Sequence, residues 1–115
     1  MMLHIMKADF HFEDGRGIID QLIHDGYKQI NVITSKKGVF RGGHYHKQNA
    51  EAFYVVSGKL TVTVNDEVQT FSQGDFFGID PYDMHGFIFD EETTLVSMYS
   101  DGVELSDGTK DIFTE

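Results

Sequence analysis

The chain contains no cysteine. That removes disulfide frameworks, thiolate metal sites and cysteine nucleophiles together, so any bound metal must be held by nitrogen and oxygen. Tryptophan is also absent, and proline occurs once, at Pro81. No stretch approaches the roughly 18 apolar residues of a membrane-spanning helix, and the first ten residues, with His4, Lys7 and Asp9, lack the apolar run of a signal peptide. A cytoplasmic location is the default expectation, with no membrane partner. Basic residues are scarce, nine Lys and Arg against nineteen Asp and Glu, for a net charge of -10. That balance argues against nucleic acid as a partner, because such binding rests on neutralising phosphates with Lys and Arg.

The shortage of positive charge is uneven. From Lys28 to Lys59 there are six basic residues (28, 36, 37, 41, 47 and 59) and one acid, Glu51, whereas the chain from Leu60 onward holds thirteen acids and one base. The middle third is the part suited to an anion.

What the chain does have is the makings of one small β domain. Its 115 residues suffice for a single core, and 40% hydrophobic and 24% charged residues are ordinary globular usage. Short runs rich in β-branched and aromatic residues recur between Gly, Asn, Asp and Ser, as in an all-β sandwich or barrel. They span 29–34, 52–56, 59–64, 67–71, 76–79, 86–89 and 94–99. Asn65-Asp66 between two such runs reads as a hairpin turn, since both residue types tolerate positive φ. The segment 18–24 is open between a short helix and a strand. Phe40, Phe53, Phe76, Phe77, Phe87, Phe89 and Met98 are expected to fill the barrel. The Asp-rich tail, 101–115, is expected to wrap the surface or meet a partner subunit.

His44 and His46 are two apart between Phe40 and Phe53. Residues i and i+2 of an extended strand face one side, so the two imidazoles converge. Glu51 opens the next apolar run and His85 opens a later one, placing both within reach across a barrel. Three neutral imidazoles and a carboxylate suit Zn, Fe, Mn, Ni or Co, and leave one or two positions open for water or substrate.

The glycines around these residues sharpen the pattern. Gly38, five residues, His44, one residue, His46, four residues, Glu51, six residues and Gly58 resembles the first motif of the cupins, and Gly74 followed eleven positions later by His85 resembles the second. In the second motif Pro81 stands one place late, Asp83 replaces a usual glycine and Phe89 a usual asparagine. The likeness covers 38–89, about half of the chain. It implies one all-β domain, a double-stranded β-helix or jelly-roll barrel, over 1–115: N-terminal strands in 1–37, the two motifs in 38–89, the last strand and acidic tail in 90–115. It also implies a divalent metal, zinc first, on His44, His46, Glu51 and His85.

A narrower likeness runs through Asp14-Gly15-Arg16-Gly17, Gln29-Ile30-Asn31-Val32, Arg41 to Lys47 and Phe53 to Gly58. These segments resemble small cupins acting on nucleotide-activated deoxysugars. One branch comprises sugar 3,4-ketoisomerases, which use histidines and a tyrosine without metal. The other is the zinc-holding C-terminal cupin domain of capsular polysaccharide epimerase/reductases, and Glu51 favours it. The resemblance implies a metal-dependent epimerase or isomerase of a nucleotide-linked keto-sugar in surface polysaccharide assembly. Tyr54, Tyr99 and His85 are the acid-base candidates. Arg41 and Lys47 are candidates for the diphosphate, although strand alternation turns both away from the histidines unless Gly42-Gly43 bends the chain. Gln29 and Asn31 stand where ketoisomerases carry Arg and aromatic residues, and complete the substrate-binding set. An Fe(II) dioxygenase and a non-catalytic binding module for a small acid or sugar are the alternatives. The fold likeness also implies a homodimer in which N-terminal strands, Leu3 to Phe12, cross between copies.

Overall fold

The computed structural model describes residues 3–114. Eleven strands follow one another: β1 (Leu3–Ile5), β2 (Phe10–Asp14), β3 (Gly17–Gln21), β4 (Gln29–Ser35), β5 (Phe40–His44), β6 (Glu51–Ser57), β7 (Lys59–Val64), β8 (Glu67–Ser72), β9 (Phe76–Ile79), β10 (His85–Phe89) and β11 (Thr93–Tyr99). A five-stranded sheet, in the order β1-β9-β6-β11-β4, faces a four-stranded sheet, β5-β10-β7-β8, and β2 with β3 forms a separate ribbon. Every pairing is antiparallel. This is the all-β jelly roll that the motif spacing implied. The described residues contain no helix long and apolar enough to cross a membrane.

Alternation explains the packing. Along β6, Phe53 and Val55 face the interior between the sheets, where they meet Leu60, Val62 and Val64 of β7, Phe71 of β8, Phe77 and Ile79 of β9, Phe87 and Phe89 of β10, and Leu95 of β11. Phe77 sits at the centre, fully buried and stacked on Phe71 with ring centroids 4.1 Å apart. The opposite face of β6, β9 and β11 is also covered. There Ala52, Phe76 and Met98 form a second cluster beneath Met6, Leu22, Ile23 and Tyr27 of the N-terminal segment.

The aromatic set therefore divides, where one barrel core was expected. Phe53, Phe77, Phe87 and Phe89 fill the barrel, Phe76 and Met98 lie behind the large sheet, and Phe40 is 58% exposed. The segment left open between helix and strand begins as β3. Asn65 takes the left-handed conformation, φ 52°, that its hairpin turn demands.

A bulge interrupts β5 beside the histidines. His85 pairs with His44, while the next residue, Gly86, pairs with Gly42, so Gly43 is an extra residue on β5. Gly42 (φ 101°) and Gly43 (φ 75°) both adopt conformations that L side chains avoid, and a Cβ on Gly42 would lie 2.8 Å from the His85 carbonyl oxygen. The bulge reverses the facing of the residues before it.

Candidate functional site

Four elements bring the site together at one end of the barrel. His44 ends β5, His46 follows it past an isolated bridge between Tyr45 and Phe113, Glu51 starts β6, and His85 starts β10. One nitrogen from each of His44, His46 and His85 lies within 4.8 Å of the others. The rings meet at centroid distances of 4.9 Å (44 to 46), 4.8 Å (44 to 85) and 5.4 Å (46 to 85). Glu51, 3% exposed, points Oε1 between two of them, 2.9 Å from His46 Nε2 and 3.1 Å from His85 Nε2.

The hydrogen bonds on the far sides of the rings decide what these short contacts mean. His46 Nδ1 donates to the Asp111 carbonyl oxygen at 2.5 Å and His85 Nδ1 donates to that of Asp83 at 2.9 Å. A neutral imidazole with its proton on Nδ1 presents a bare lone pair at Nε2. Glu51 Oε1 thus faces two acceptors, an arrangement that requires positive charge among them, either a proton or a cation. Among the described residues, the buried side-chain polar atoms that lack a hydrogen-bond partner are His46 Nε2, Glu51 Oε1 and the Ser97 hydroxyl, and all three cluster here. Three imidazoles and a carboxylate converging with unfilled lone pairs fit a divalent metal ion.

Without a cation, the electrostatics of the cluster favours a proton on His46 beside an ionised Glu51. Burial opposes ionisation of Glu51, yet the two imidazoles hold its carboxyl down at about 2. Burial likewise opposes charge on His46, and the Glu51 and Asp111 contacts outweigh it and raise the group. His44, half-buried, is lowered to about 4, first by burial and then by His85 and His46, so it is neutral at pH 7.

Beside the four residues opens a cavity of about 340 Å³, lined among others by Arg41, Ser97 and Tyr99 and walled by Ile33, Phe53, Phe87, Phe89 and Leu95. Arg41 reaches it because of the bulge at Gly43, and its Nε donates to the Ser35 hydroxyl at 2.7 Å, fixing the guanidinium. Tyr99 pairs with Glu51 across β11 and β6 and stands edge-on to His46 at 5.5 Å. Its phenol is raised to about 12, first by burial and then by the Glu51 charge, and so keeps its proton.

Other sequence candidates fall elsewhere. Tyr54 points to the opposite face of the large sheet and packs on Phe76, centroids 6.2 Å apart. Lys47 lies over the Phe113 ring, 4.1 Å from its centroid, outside the cavity. Gln29 accepts from Val103 N at 2.9 Å and so holds the tail. Asn31 pairs with Ser97 on the inner face of β4 but does not line the cavity. Sequence reasoning missed Asp111 and Asn49, each 1% exposed, which bind the loop between His46 and Glu51. Their signal was weak: two polar residues in a loop and a tail, with no periodicity to bury them.

Residues 31–99, more than half of the chain, match the family model described as Cupin domain. The chain belongs to the cupin family. No curated protein gives a significant match to it. Among solved structures, this cupin is similar to a 3,4-ketoisomerase from Helicobacter canadensis, with a TM-score of 0.81 at 19% identity over 100% of this chain and 92% of that one. It is similar to QdtA, a sugar 3,4-ketoisomerase from Thermoanaerobacterium thermosaccharolyticum in complex with TDP, with a TM-score of 0.74 at 17% identity over 98% and 88% of the two chains. The Mycobacterium tuberculosis rmlC epimerase gives a TM-score of 0.71 at 19% identity, over 85% of this cupin and 62% of that protein. At these identities the likeness is one of fold.

Proposed function

We propose that the protein is a metal-binding cupin that moves a proton next to the carbonyl group of a nucleotide-linked keto-sugar, as an epimerase or ketoisomerase. The observation that carries the metal is the Glu51 oxygen set against two bare imidazole nitrogens at the end of a cavity. His44, His46, Glu51 and His85 hold the ion, with zinc the first choice for this donor set and iron, manganese, nickel and cobalt behind it. Bound there, a divalent ion supplies a Lewis acid for a carbonyl oxygen.

The chain's own residues supply a proton donor, an anion site and the cavity wall. With Nδ1 donating to Asp83 and Nε2 facing Glu51, His85 has both nitrogens committed and acts as a ligand. Tyr99 is the proton-carrying group that this set leaves over, and a phenol near 12 gives up its proton only to a strongly basic oxygen or carbon, as in an enolate. Arg41 meets an anionic part of the substrate as a bidentate donor. The apolar wall keeps water away from the reacting carbon. A cavity of about 340 Å³ admits a hexose, and the nucleotide then lies at the mouth, beside exposed Phe40. That the fold neighbours are sugar ketoisomerases and an epimerase supports this substrate class.

Purified protein, with zinc or after chelation, incubated with dTDP- and UDP-4-keto-6-deoxyhexoses in deuterated water, tests the reading. Deuterium at a ring carbon with zinc and its loss on chelation are expected. No uptake across the panel overturns it; bound iron with substrate-dependent O₂ consumption would favour the dioxygenase instead.

The ribbon of β2 and β3 supports the dimer. All its residues are exposed, and cross-strand pairing puts Phe10, Phe12 and Ile19 with Gln21 on one face and His11, Glu13 and Asp20 with Ile18 on the other. A two-stranded ribbon with an open apolar face is marginal alone in water. The edge strand β4 offers a matching surface in Ile30 and Val32, 63% and 71% exposed. β1 pairs within its own chain, and we propose that the ribbon is what crosses to a second copy. Sedimentation at micromolar concentration should show a dimer that Phe12→Lys dissociates; a monomer of the unaltered protein refutes it.

A further inference from the structure

The segment from Tyr45 to Ala50 separates His46 from Glu51, and it is held chiefly by the C-terminal tail, with Tyr82 N donating to the His46 carbonyl at 2.6 Å. The amides of Lys47, Gln48 and Asn49 converge on the Asp111 carboxylate, at 2.8, 2.9 and 3.1 Å. The Asn49 side-chain amide adds a fourth bond to the same carboxylate, at 2.9 Å. Its Nδ2 also donates to the Gly102 carbonyl, and its Oδ1 accepts from the amides of Asp101 and Gly102, all at 2.9 Å. Tyr45 and Phe113 exchange both backbone bonds, and Ala50 N donates to the Ser100 hydroxyl.

A fully buried carboxylate is costly unless its lone pairs are filled. Here four donors fill them, which fixes Asp111 in one place. That placement is what lets the Asp111 carbonyl oxygen take the His46 Nδ1 proton. The same side chain that folds the loop therefore aligns one imidazole, while the loop it folds delivers Glu51 at the start of β6.

We infer that Asp111 and Asn49 form a clamp through which the tail positions His46 and Glu51 for their role in the site. Asp111 and Asn49 are positioning residues: their side chains touch neither the cavity nor the converging ligand atoms. By reciprocity, whatever His46 and Glu51 bind together must in turn tighten the tail. The inference rests on the reading of His46 and Glu51 as ligands, and one half of its test is independent of metal.

The first measurement is ¹⁵N NMR of the metal-free protein at a pH high enough that the ring is neutral, reading the His46 tautomer. The unaltered chain should carry the proton on Nδ1. Asp111→Ala should lose that preference and Asp111→Asn, which keeps part of the hydrogen bonding, should retain more of it. The second is affinity for Co(II), read from its absorption bands and by chelator competition. Asp111→Ala should bind roughly 10- to 100-fold more weakly, in line with other supporting groups behind metal ligands. Asp107→Ala serves as the control, since Asp107 caps only the exposed turn at Thr109. An unchanged His46 tautomer in Asp111→Ala, or equal weakening by Asp107→Ala, overturns the clamp. An unaltered chain that binds no Co(II) but shows the tautomer change upholds the clamp and removes the metal reading. If Asp111→Ala does not fold, hydrogen exchange of the unaltered protein decides. Co(II) should then slow the amides of residues 47–49 and of Asp111 by a similar factor, and no slowing at Asp111 overturns the inference.

Discussion

Glu51→Gln preserves the shape of a buried side chain and removes its charge, which makes the metal-free protein a direct test of the site's electrostatics. The carboxyl stands at about 2 in place of its ordinary 4.5, with burial opposing ionisation and His46 and His85 overcoming it. A depressed carboxyl stabilises the fold above its unfolded value, and that contribution is lost as pH falls toward the folded one. The drop corresponds to about 3 kcal/mol at ~1.4 kcal/mol per pH unit. Glutamine imitates the protonated acid at every pH. In the presence of chelator, Glu51→Gln should therefore be less stable than the unaltered chain by about 3 kcal/mol near pH 6, a difference that shrinks below pH 4.5 and disappears near pH 2. The raised His46 adds a second limb: its share is full below the ordinary histidine value and fades as pH climbs through the raised one. Urea unfolding followed by circular dichroism from about pH 2 to 8 gives both curves. Parallel curves, or a glutamine variant as stable as the parent near pH 6, would refute the assignment of opposite charges to this cluster.

Three further outcomes rest on single contacts. Gly42→Ala places a methyl group 2.8 Å from the His85 carbonyl in a left-handed conformation, so stability should fall by about 1–3 kcal/mol from backbone strain alone, with Co(II) affinity falling as β5 and β10 separate. Tyr99→Phe should lower kcat on a keto-sugar by about 10²-fold or more with little change in KM, because it removes a proton and leaves the cavity wall intact. Phe77→Ala, at the centre of the barrel, should cost about 3–5 kcal/mol in urea unfolding, by cavity formation and loss of the Phe71 stack.

Much of the fold was legible from residue order, for physical reasons that can be named. β7 and β9 carry the limits read from their β-branched and aromatic runs, because β7 alternates buried and more exposed residues, β9 is buried throughout, and both are bounded by turn residues. The turn at Asn65 was visible because φ above zero restricts residue type. His44, His46, Glu51 and His85 do converge, but not by simple alternation, since β5 stops at His44 and the bulge at Gly43 alters the facing of Arg41. A bulge inserts one residue without a compositional mark beyond its glycines, so strict parity could not place Arg41. The split of Phe76 from Phe77 was hidden because a sheet covered on both faces needs apolar neighbours in sequence, which looks like one buried run. The ribbon gave no clear pattern because none of the described residues of its own chain buries it. Asp111 was out of reach altogether, as it meets His46 across a separation of 65 residues.

That separation bears on how the site comes into being. All four candidate ligands lie at or before position 85, yet the residue that orients His46 and closes the loop ahead of Glu51 is Asp111. A growing or partly folded chain that has passed β10 holds the full donor set without the geometry, and contacts this distant in sequence form late. The site is thus loosely ordered until the tail has docked. On the metal-binding reading proposed above, an ion that meets the histidines before the last stretch of chain has docked finds a weaker site, and selection among metals is postponed until then.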